Sequence, residues 1–294
     1  MITKTAMLLV NKRARNGAGR IDDVIELLRN GGMEVIEPHV NEQDSFADVI
    51  RRNADTCDLV IVGGGDGTMN TAAPGLADTK LPFGILPLGT ANDLARTLGL
   101  PASPLEAAKV ILGGVTRELD LGDVNGHLYF NVASIGFSAE LARILTSEAK
   151  KRWGKLGYGV AASRLLAQSR PFTAFIEHDG IIEQARTLQI SVGNGRFYGG
   201  GMTVETSAQP DDGRLDVYSL EISHWAELIA LLPALRRGTQ GRWKNVRAFS
   251  TTGLTVRTRR SHAVNADGEI VTRTPATFKI RRRAVTVFVS EGSE

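Results

Sequence analysis

The apolar positions of the first third of the chain alternate between two periods. Short aliphatic runs at Ala6–Val10, Met33–Pro38, Leu59–Val62 and Phe83–Leu86 have the length of buried strands. Between them the period lengthens. Ile21, Val24, Ile25, Leu27 and Leu28 fall on one face of a helix over Gly19–Asn30, which Gly31-Gly32 ends. Phe46–Asn53 and Leu105–Leu112 read as further helices, the second closed by Gly113-Gly114. Strands and helices in turn predict a mostly parallel sheet covered on both faces. After Arg117 the rhythm shifts to short strands joined by hairpins, with Asn125-Gly126 and Asp179-Gly180 as the strongest turn signals. Helices are expected there only at Ala139–Leu145, Leu156–Ala167 and His224–Arg236. The chain thus divides into an α/β domain over residues 1–120 and a β-rich domain over 121–283.

Two of the predicted strands run into glycine-rich loops. Val60-Ile61-Val62 leads into Gly63-Gly64-Gly65-Asp66-Gly67-Thr68-Met69-Asn70, a turn carrying one acid and one hydroxyl before a helix. Glycines permit positive φ and let backbone N–H groups approach an anion, and the helix adds its positive end. Asp66 among those amides suits a divalent cation, so polyphosphate with magnesium is the economical reading; a glycine hinge with a capping Asp is the plainer one. Gly84-Ile85-Leu86-Pro87-Leu88-Gly89-Thr90-Ala91-Asn92-Asp93 repeats the design. Here Thr90 is placed to cap the helix, with Asn92 and Asp93 in its first turn. Two such turns can face one another at the carboxyl edge of a parallel sheet, where ligands bind. The chain has no G-x-x-x-x-G-K-[ST] loop, and the glycine spacing is not that of a dinucleotide fingerprint.

Composition narrows the class. The 294 residues, 42% of them apolar, can bury a sizeable core. The lone Cys57 excludes an internal disulfide and fits a reducing compartment. Met1 to Val10 is too short and too weakly apolar for a signal peptide, and the longest apolar candidate, Ala226–Leu235, is interrupted by Pro233. The five histidines show no metal spacing, and no G-x-S-x-G elbow occurs, so zinc chemistry and triad hydrolysis are not supported. The net charge of +3 hides an asymmetry: thirteen Lys and Arg stand between Arg236 and Arg283 against only Asp267 and Glu269. A second basic cluster, Lys150, Lys151, Arg152 and Lys155, adjoins Trp153 and Tyr158. Basic residues among aromatics suit an anionic membrane; nucleic acid and a plainly solvated sheet face are the rivals.

GGGDGT followed by LPLGTANDLAR resembles the catalytic domain of the diacylglycerol kinase family, which includes sphingosine kinases and bacterial lipid kinases. Gly193-Asn194-Gly195-Arg196 with Gly199-Gly200-Gly201, then Asp211-Asp212-Gly213-Arg214-Leu215-Asp216 and Asn265-Ala266-Asp267-Gly268-Glu269, extend the likeness over nearly the whole chain, closest to the YegS-like bacterial lipid kinases. The resemblance implies a site in the cleft between the domains and a final strand, Ala284–Ser290, that returns to the first domain, so that residues 284–294 join it. It implies an ATP-dependent kinase acting on a hydroxyl of a membrane glycerolipid, phosphatidylglycerol or diacylglycerol. Such an enzyme is expected to be cytoplasmic and peripheral at the inner membrane face, without a nucleic-acid partner. An NAD kinase, which shares GGDGT, and a non-catalytic nucleotide or lipid sensor are the alternatives.

Phosphoryl transfer needs the γ-phosphate and its magnesium held in line and an alcohol that loses its proton. Gly64, Gly65, Gly67, Thr68 and Thr90 are the candidates for gripping phosphates, with Asn70, Asn92 and Asp93 alongside, and Asp66 for magnesium. Asn11 matches the family's first nucleotide motif, and Asn41 is placed to touch the nucleotide; Asn11-Lys12-Arg13 through Gly19 lacks the proline usual there. The acidic turn supplies the base, Glu269, with Asp267 as its partner or alternative. By resemblance, Asp212 with the carbonyls of Gln209 and Arg214 holds a structural magnesium or calcium, and Asp216 is its possible support. Ser138 departs from the family, many of whose members carry Asp at that position.

Overall fold

The computed structural model describes residues 4–11, 21–41, 43–137, 170–195, 197–198, 202–203, 209–222, 227, 230–231, 233–234, 237 and 239–292. It divides into two compact units, Met1–Leu121 with Arg282–Glu294, and Gly122–Arg281. The expected helices at 139–145 and 156–167, the Lys150–Tyr158 cluster, Ser138 and the Lys12–Gly19 stretch lie outside the described residues. Within the third expected helix, residues 227, 230–231, 233–234 and 237 are helical.

In the first unit, strands β1 (Lys4–Val10), β2 (Met33–Ile36), β3 (Leu59–Gly64) and β4 (Phe83–Pro87) pair in parallel in the order β2-β1-β3-β4. Every residue of β3 and β4 is buried, as a sheet covered on both faces requires. Helix α1 (Ile21–Asn30) buries Ile21, Val24, Ile25 and Leu28, the stripe read from the sequence, with Asp22 and Asp23 at its positive end. In α2 (Phe46–Asn53) the Ser45 hydroxyl caps the helix by accepting from the Asp48 N–H. Helix α3 (Asp66–Thr79) passes α2 at Gly75, where a Cβ would stand 2.6 Å from the Ala47 carbonyl oxygen. Helices α4 (Asp93–Thr97) and α5 (Pro104–Gly113) follow.

The second unit is antiparallel throughout its described pairs. After β5 (Thr116–Val124) and β6 (His127–Tyr129) come β7 (Val132–Gly136), β8 (Phe172–His178), β9 (Ile181–Thr187) and β10 (Gln189–Gly193). The short pair β11 (Phe197–Tyr198) and β12 (Met202–Thr203) is followed by β13 (Leu215–Leu220), β14 (Val246–Thr251), β15 (Gly253–Thr258), β16 (Ala263–Ala266), β17 (Glu269–Arg273) and β18 (Ala276–Phe288). One sheet runs β14-β13-β10-β7-β16-β17. Its inner face, including Ile135, Ile190 and Val264, packs on Ile176, Val256 and Phe278 from β8, β15 and β18, closing a sandwich. Three hairpins turn on Asn125-Gly126, Asp179-Gly180 and Asp267-Gly268, each with both residues at positive φ.

Strand β18 is longer than the expected Ala284–Ser290. Its first residues pair with β15, and Val287 pairs in parallel with Phe83 of β4. The crossing is pinned in the first unit. The Asp120 carboxylate accepts from the Arg283 N–H at 2.7 Å, and Lys80 Nζ donates to the Ala284 carbonyl at 2.9 Å.

Candidate active site

The two glycine loops of the first unit touch, backbone against backbone. The Leu88 N–H donates to the Gly64 carbonyl at 3.0 Å. A Cβ on Gly89 would stand 2.5 Å from the Gly65 Cα, and one on Gly65 3.1 Å from the Gly89 Cα. A Cβ on Gly64 would run into the Thr68 side chain. None of Gly63, Gly64, Gly65, Gly67 and Gly89 has positive φ. The glycines are required for space, which corrects the expectation that the loop turns through the left-handed region.

Asp66 opens α3, whose first N–H groups have no partner within the helix. Its Oδ1 accepts from the Leu94 N–H of α4 at 3.1 Å. That contact corrects the expected role of Thr90, which is exposed in the loop and caps nothing. The α4 N-cap is Asn92, left-handed at φ 51°. Its side chain turns back onto the loop, accepting from the Gly89 N–H at 2.9 Å and donating to the Gly89 carbonyl at 3.0 Å. Asp93 is buried behind it. On the other side of the loop, Asn11 Nδ2 donates to the Thr68 hydroxyl at 3.1 Å. Asn70 Oδ1 is buried without a hydrogen-bond partner among the described residues.

Beside Thr68 opens a cavity of about 680 Å³ at the carboxyl ends of β1 and β2, lined by Val10, Asn11, His39, Asn41, Asp44 and Thr71 among others. Asn41 is set by Asp44, whose Oδ2 accepts from the Asn41 backbone N–H at 3.1 Å and from its Nδ2 at 2.9 Å. Arg52 grips the same carboxylate with two hydrogen bonds of 2.9 and 2.7 Å. The Arg52 hydrogen bond, then the Asn41 backbone bond, hold Asp44 well below the usual carboxylate range, and Asp44 in turn raises Arg52. The periodicity that placed α2 gave no sign of this clamp, because Asp44 and Arg52 belong to no motif.

In the second unit the two acids of the Asp267-Gly268-Glu269 turn differ. The Asp267 carboxylate accepts from three successive backbone N–H groups: Phe130 at 2.8 Å, Asn131 at 3.1 Å and Val132 at 2.9 Å. It fastens the 130–132 segment. Glu269 is exposed and stands opposite Ala266 in the hairpin, and its side chain makes no hydrogen bond among the described residues. Asn265 Oδ1 accepts from the Gly268 N–H at 3.1 Å and shapes the turn. The Tyr129 phenol nearby is fully buried; burial first, then the Asp267 and Asp123 charges, push its pKa well above the ordinary value.

The Gln209–Arg214 turn offers oxygen donors alone. Asp212 Oδ1 accepts from the Arg214 N–H at 2.8 Å, and Gly213 is left-handed at φ 73°. Asp216 Oδ1 is taken by the Ser250 hydroxyl. No group of three or more His, Cys, Asp or Glu able to hold a metal occurs among the described residues. One carboxylate with main-chain carbonyls fits a hard cation and no softer one.

Four of the thirteen basic side chains of this segment are ion-paired within the fold. Arg247 pairs with Glu183 at 2.8 Å and Glu221 at 2.7 Å, Arg257 with Glu177 at 3.3 Å, Arg281 with Asp123 at 2.7 Å and Arg283 with Glu118 at 3.4 Å. Sequence counting missed these partners because they lie far away in the chain.

Two family models match the chain: the diacylglycerol kinase catalytic domain over residues 5–124, and the YegS C-terminal NAD kinase beta sandwich-like domain over residues 131–289. The chain is 32% identical to a Bacillus subtilis protein named "Diacylglycerol kinase", over 75% of this chain and 74% of that one. It is also 32% identical to a Pseudomonas fluorescens protein named "Probable lipid kinase YegS-like", over 80% of this chain and 78% of the other. Among solved structures, a crystallised diacylglycerol kinase from Bacillus anthracis superposes with a TM-score of 0.76 at 22% identity, covering 100% of both chains.

Proposed function

We propose a specific reaction for this chain, which belongs to the diacylglycerol kinase family and is a lipid kinase: transfer of the γ-phosphoryl group of ATP to a hydroxyl of a membrane glycerolipid, diacylglycerol or phosphatidylglycerol. The observation that carries it is the contact between the Gly64-Gly65 and Leu88-Gly89 loops, with Asp66 joining the starts of two helices. Amides of Gly65, Asp66 and Gly67 at the head of α3 and the Thr68 hydroxyl suit the phosphates. Asn11, Asn41, Asn70, Thr90, Asn92 and Asp93 stand around them, and the cavity bounded by Asn11 and Asn41 takes the nucleoside.

In the reaction the acceptor oxygen attacks the γ-phosphorus, the bond to the β-bridging oxygen breaks, and ADP leaves. The acceptor's proton passes to the Glu269 carboxylate, which is exposed and carries no competing donor among the described residues. Asp267 positions that turn. Asp66 keeps one carboxylate oxygen for magnesium, which would neutralise charge on the phosphates. Asp212 with the Gln209 and Arg214 carbonyls would hold a second, structural magnesium or calcium. The first unit is the nucleotide domain and the second the lipid domain. Work at an anionic membrane face follows from the substrate; among the described residues no helix is long and apolar enough to cross a membrane.

The test is label transfer from ATP to extracted lipid, with and without magnesium, with NAD as the competing acceptor. Magnesium-dependent label on lipid is the expected result. Label on NAD alone, or no transfer with intact nucleotide binding, overturns the proposal.

A further inference from the structure

Basic side chains of the second unit that make no ion pair collect at one end of its sandwich. Register fixes that end. Strand β8 begins there at Phe172, β9 finishes opposite it at Thr187, and β15 finishes at Thr258, opposite Ala174. In the other sheet β13 finishes at Leu220, which pairs with Gln189 at the start of β10 and with Val246 at the start of β14. Arg273 closes β17 opposite Ala263. The two sheets are joined here, since the Thr187 hydroxyl donates to the Leu220 carbonyl at 3.0 Å. The His262 ring, between β15 and β16, stacks on Phe172 with centroids 4.2 Å apart.

Arg170, Arg186, Arg259, Arg260 and Arg273 stand on these strand ends and the loops beside them, all exposed and none in an ion pair among the described residues. Arg273 is aimed by Ser261, donating to its hydroxyl at 2.9 Å and to its carbonyl at 3.0 Å. The segment before β14 adds Arg242, Trp243 and Lys244, with the indole 42% exposed. It belongs to the same end, because the Asn245 carbonyl accepts from the Glu221 N–H at 2.9 Å. The acids nearby are engaged, Glu221 by Arg247 and Glu227 by the Asn245 amide. A merely solvated basic face has no use for an exposed indole. Duplex nucleic acid would offer that ring phosphates and sugars, whereas a bilayer offers phosphates with an apolar layer beneath them. Guanidinium groups suit the first of these and a Trp between cations the boundary below.

We infer that this end of the sandwich is the docking surface for an anionic bilayer, its arginines on lipid phosphates and Trp243 at the boundary between headgroups and acyl chains. The inference rests on the lipid-kinase reading and gives that enzyme its membrane face. Strand β17 leads from Arg273 at the docked end back to Glu269, about 13 Å away. Ile270, 42% exposed, lies between them. One leaflet's hydrocarbon is about 15 Å deep. A lipid drawn up along β17 therefore reaches Glu269 with the ends of its tails still in the bilayer.

The experiment sediments the purified full chain with vesicles of phosphatidylcholine, alone or mixed with phosphatidylglycerol. The wild type is expected to bind only the mixed vesicles, and less as salt rises. Arg259→Gln with Arg260→Gln should weaken binding about twentyfold or more, at roughly fivefold per charge. Trp243→Ala should weaken it with no change of charge, and Arg186→Gln decides the matter if the double variant loses Tm. Lys279→Gln makes the same charge change at the other end of the sandwich, opposite Gly253, and should bind as the wild type does. Label transfer from ATP to dioleoylglycerol is the second readout: the docking variants should slow on mixed vesicles and keep their rate in non-ionic detergent micelles. Equal loss in Lys279→Gln, unchanged vesicle binding in the arginine or Trp243 variants, or tighter binding of duplex DNA through the same arginines overturns the inference and leaves the kinase reading standing. No label on lipid in micelles overturns the kinase reading, while vesicle binding still decides the docking surface.

Discussion

The carboxylate of Asp66, in the first turn of one helix, accepts the backbone N–H of Leu94, in the first turn of another, at 3.1 Å. One side chain therefore fastens both loop-to-helix transitions of the candidate phosphate site. A second oxygen of the same group remains for a cation, so the structural and the ionic roles can be separated by substitution. Asp66→Ala removes both. It is expected to lower stability by about 1 kcal/mol, as loss of a helix-capping acceptor does, and to abolish magnesium-dependent nucleotide affinity. Asp66→Asn keeps an acceptor for Leu94 and should hold Tm while losing the magnesium dependence. Calorimetric titration of ATP with and without magnesium, beside thermal melts, checks both. Magnesium-dependent binding by the Asn variant at wild-type strength would refute the cation role.

Gly89 tests the contact between the loops. Its Cβ would meet backbone, the Gly65 Cα at 2.5 Å, so no side-chain rotation can relieve the clash. Gly89→Ala is expected to cost about 1–3 kcal/mol, the range for overpacking, and to weaken nucleotide binding as the loops part. Gly113, whose Cβ would meet nothing within 4 Å, supplies the control. Urea unfolding should separate the two alanine variants, with Gly89→Ala destabilised and Gly113→Ala, in the last turn of α5, unchanged or more stable. Wild-type stability in Gly89→Ala would mean that the loops part freely.

How much of this was legible in the sequence depended on whether a residue's role was local. Helix α1 came through because Ile21, Val24, Ile25 and Leu28 face the same side by spacing alone. The Asn125-Gly126 and Asp179-Gly180 turns came through because those dipeptides tolerate the positive φ that tight hairpins demand. Thr90 failed as a cap because the competing acceptor, Asp66, arrives from 28 residues away. The partners of the basic segment were hidden for the same reason: Glu183 and Asp123, which pair with Arg247 and Arg281, come from other strands.

The acidic turn gives a two-sided prediction. Glu269→Gln is expected to abolish lipid phosphorylation while leaving Tm and ATP affinity unchanged, because the side chain is exposed. Asp267→Asn should instead lower stability by about 2 kcal/mol, since it weakens charge-assisted acceptance from three N–H groups. Unfolding curves and initial rates on the same preparations separate the two. Full turnover by Glu269→Gln would reject it as the base, and an unshifted Asp267→Asn would reject the fastening role.

The Asp44–Arg52 clamp predicts a pH dependence whose sign follows from linkage. Arg52 and the Asn41 amides hold the folded carboxylate below its ordinary value of 3.8, so the folded state releases this proton more readily than the unfolded chain does. The stabilisation is therefore fully present above the unfolded pKa and is lost as the pH falls through the folded one. In urea titrations run downward from about pH 5, the wild type should lose stability on account of this group, and Asp44→Asn should lack that part of the slope. Because Asn41 lines the same cavity, the variant should also bind nucleotide more weakly at neutral pH, where the wild-type clamp is intact. Superimposable pH slopes for the two proteins would show that the clamp is solvent-screened, and unchanged nucleotide affinity would show that Asn41 does not need it.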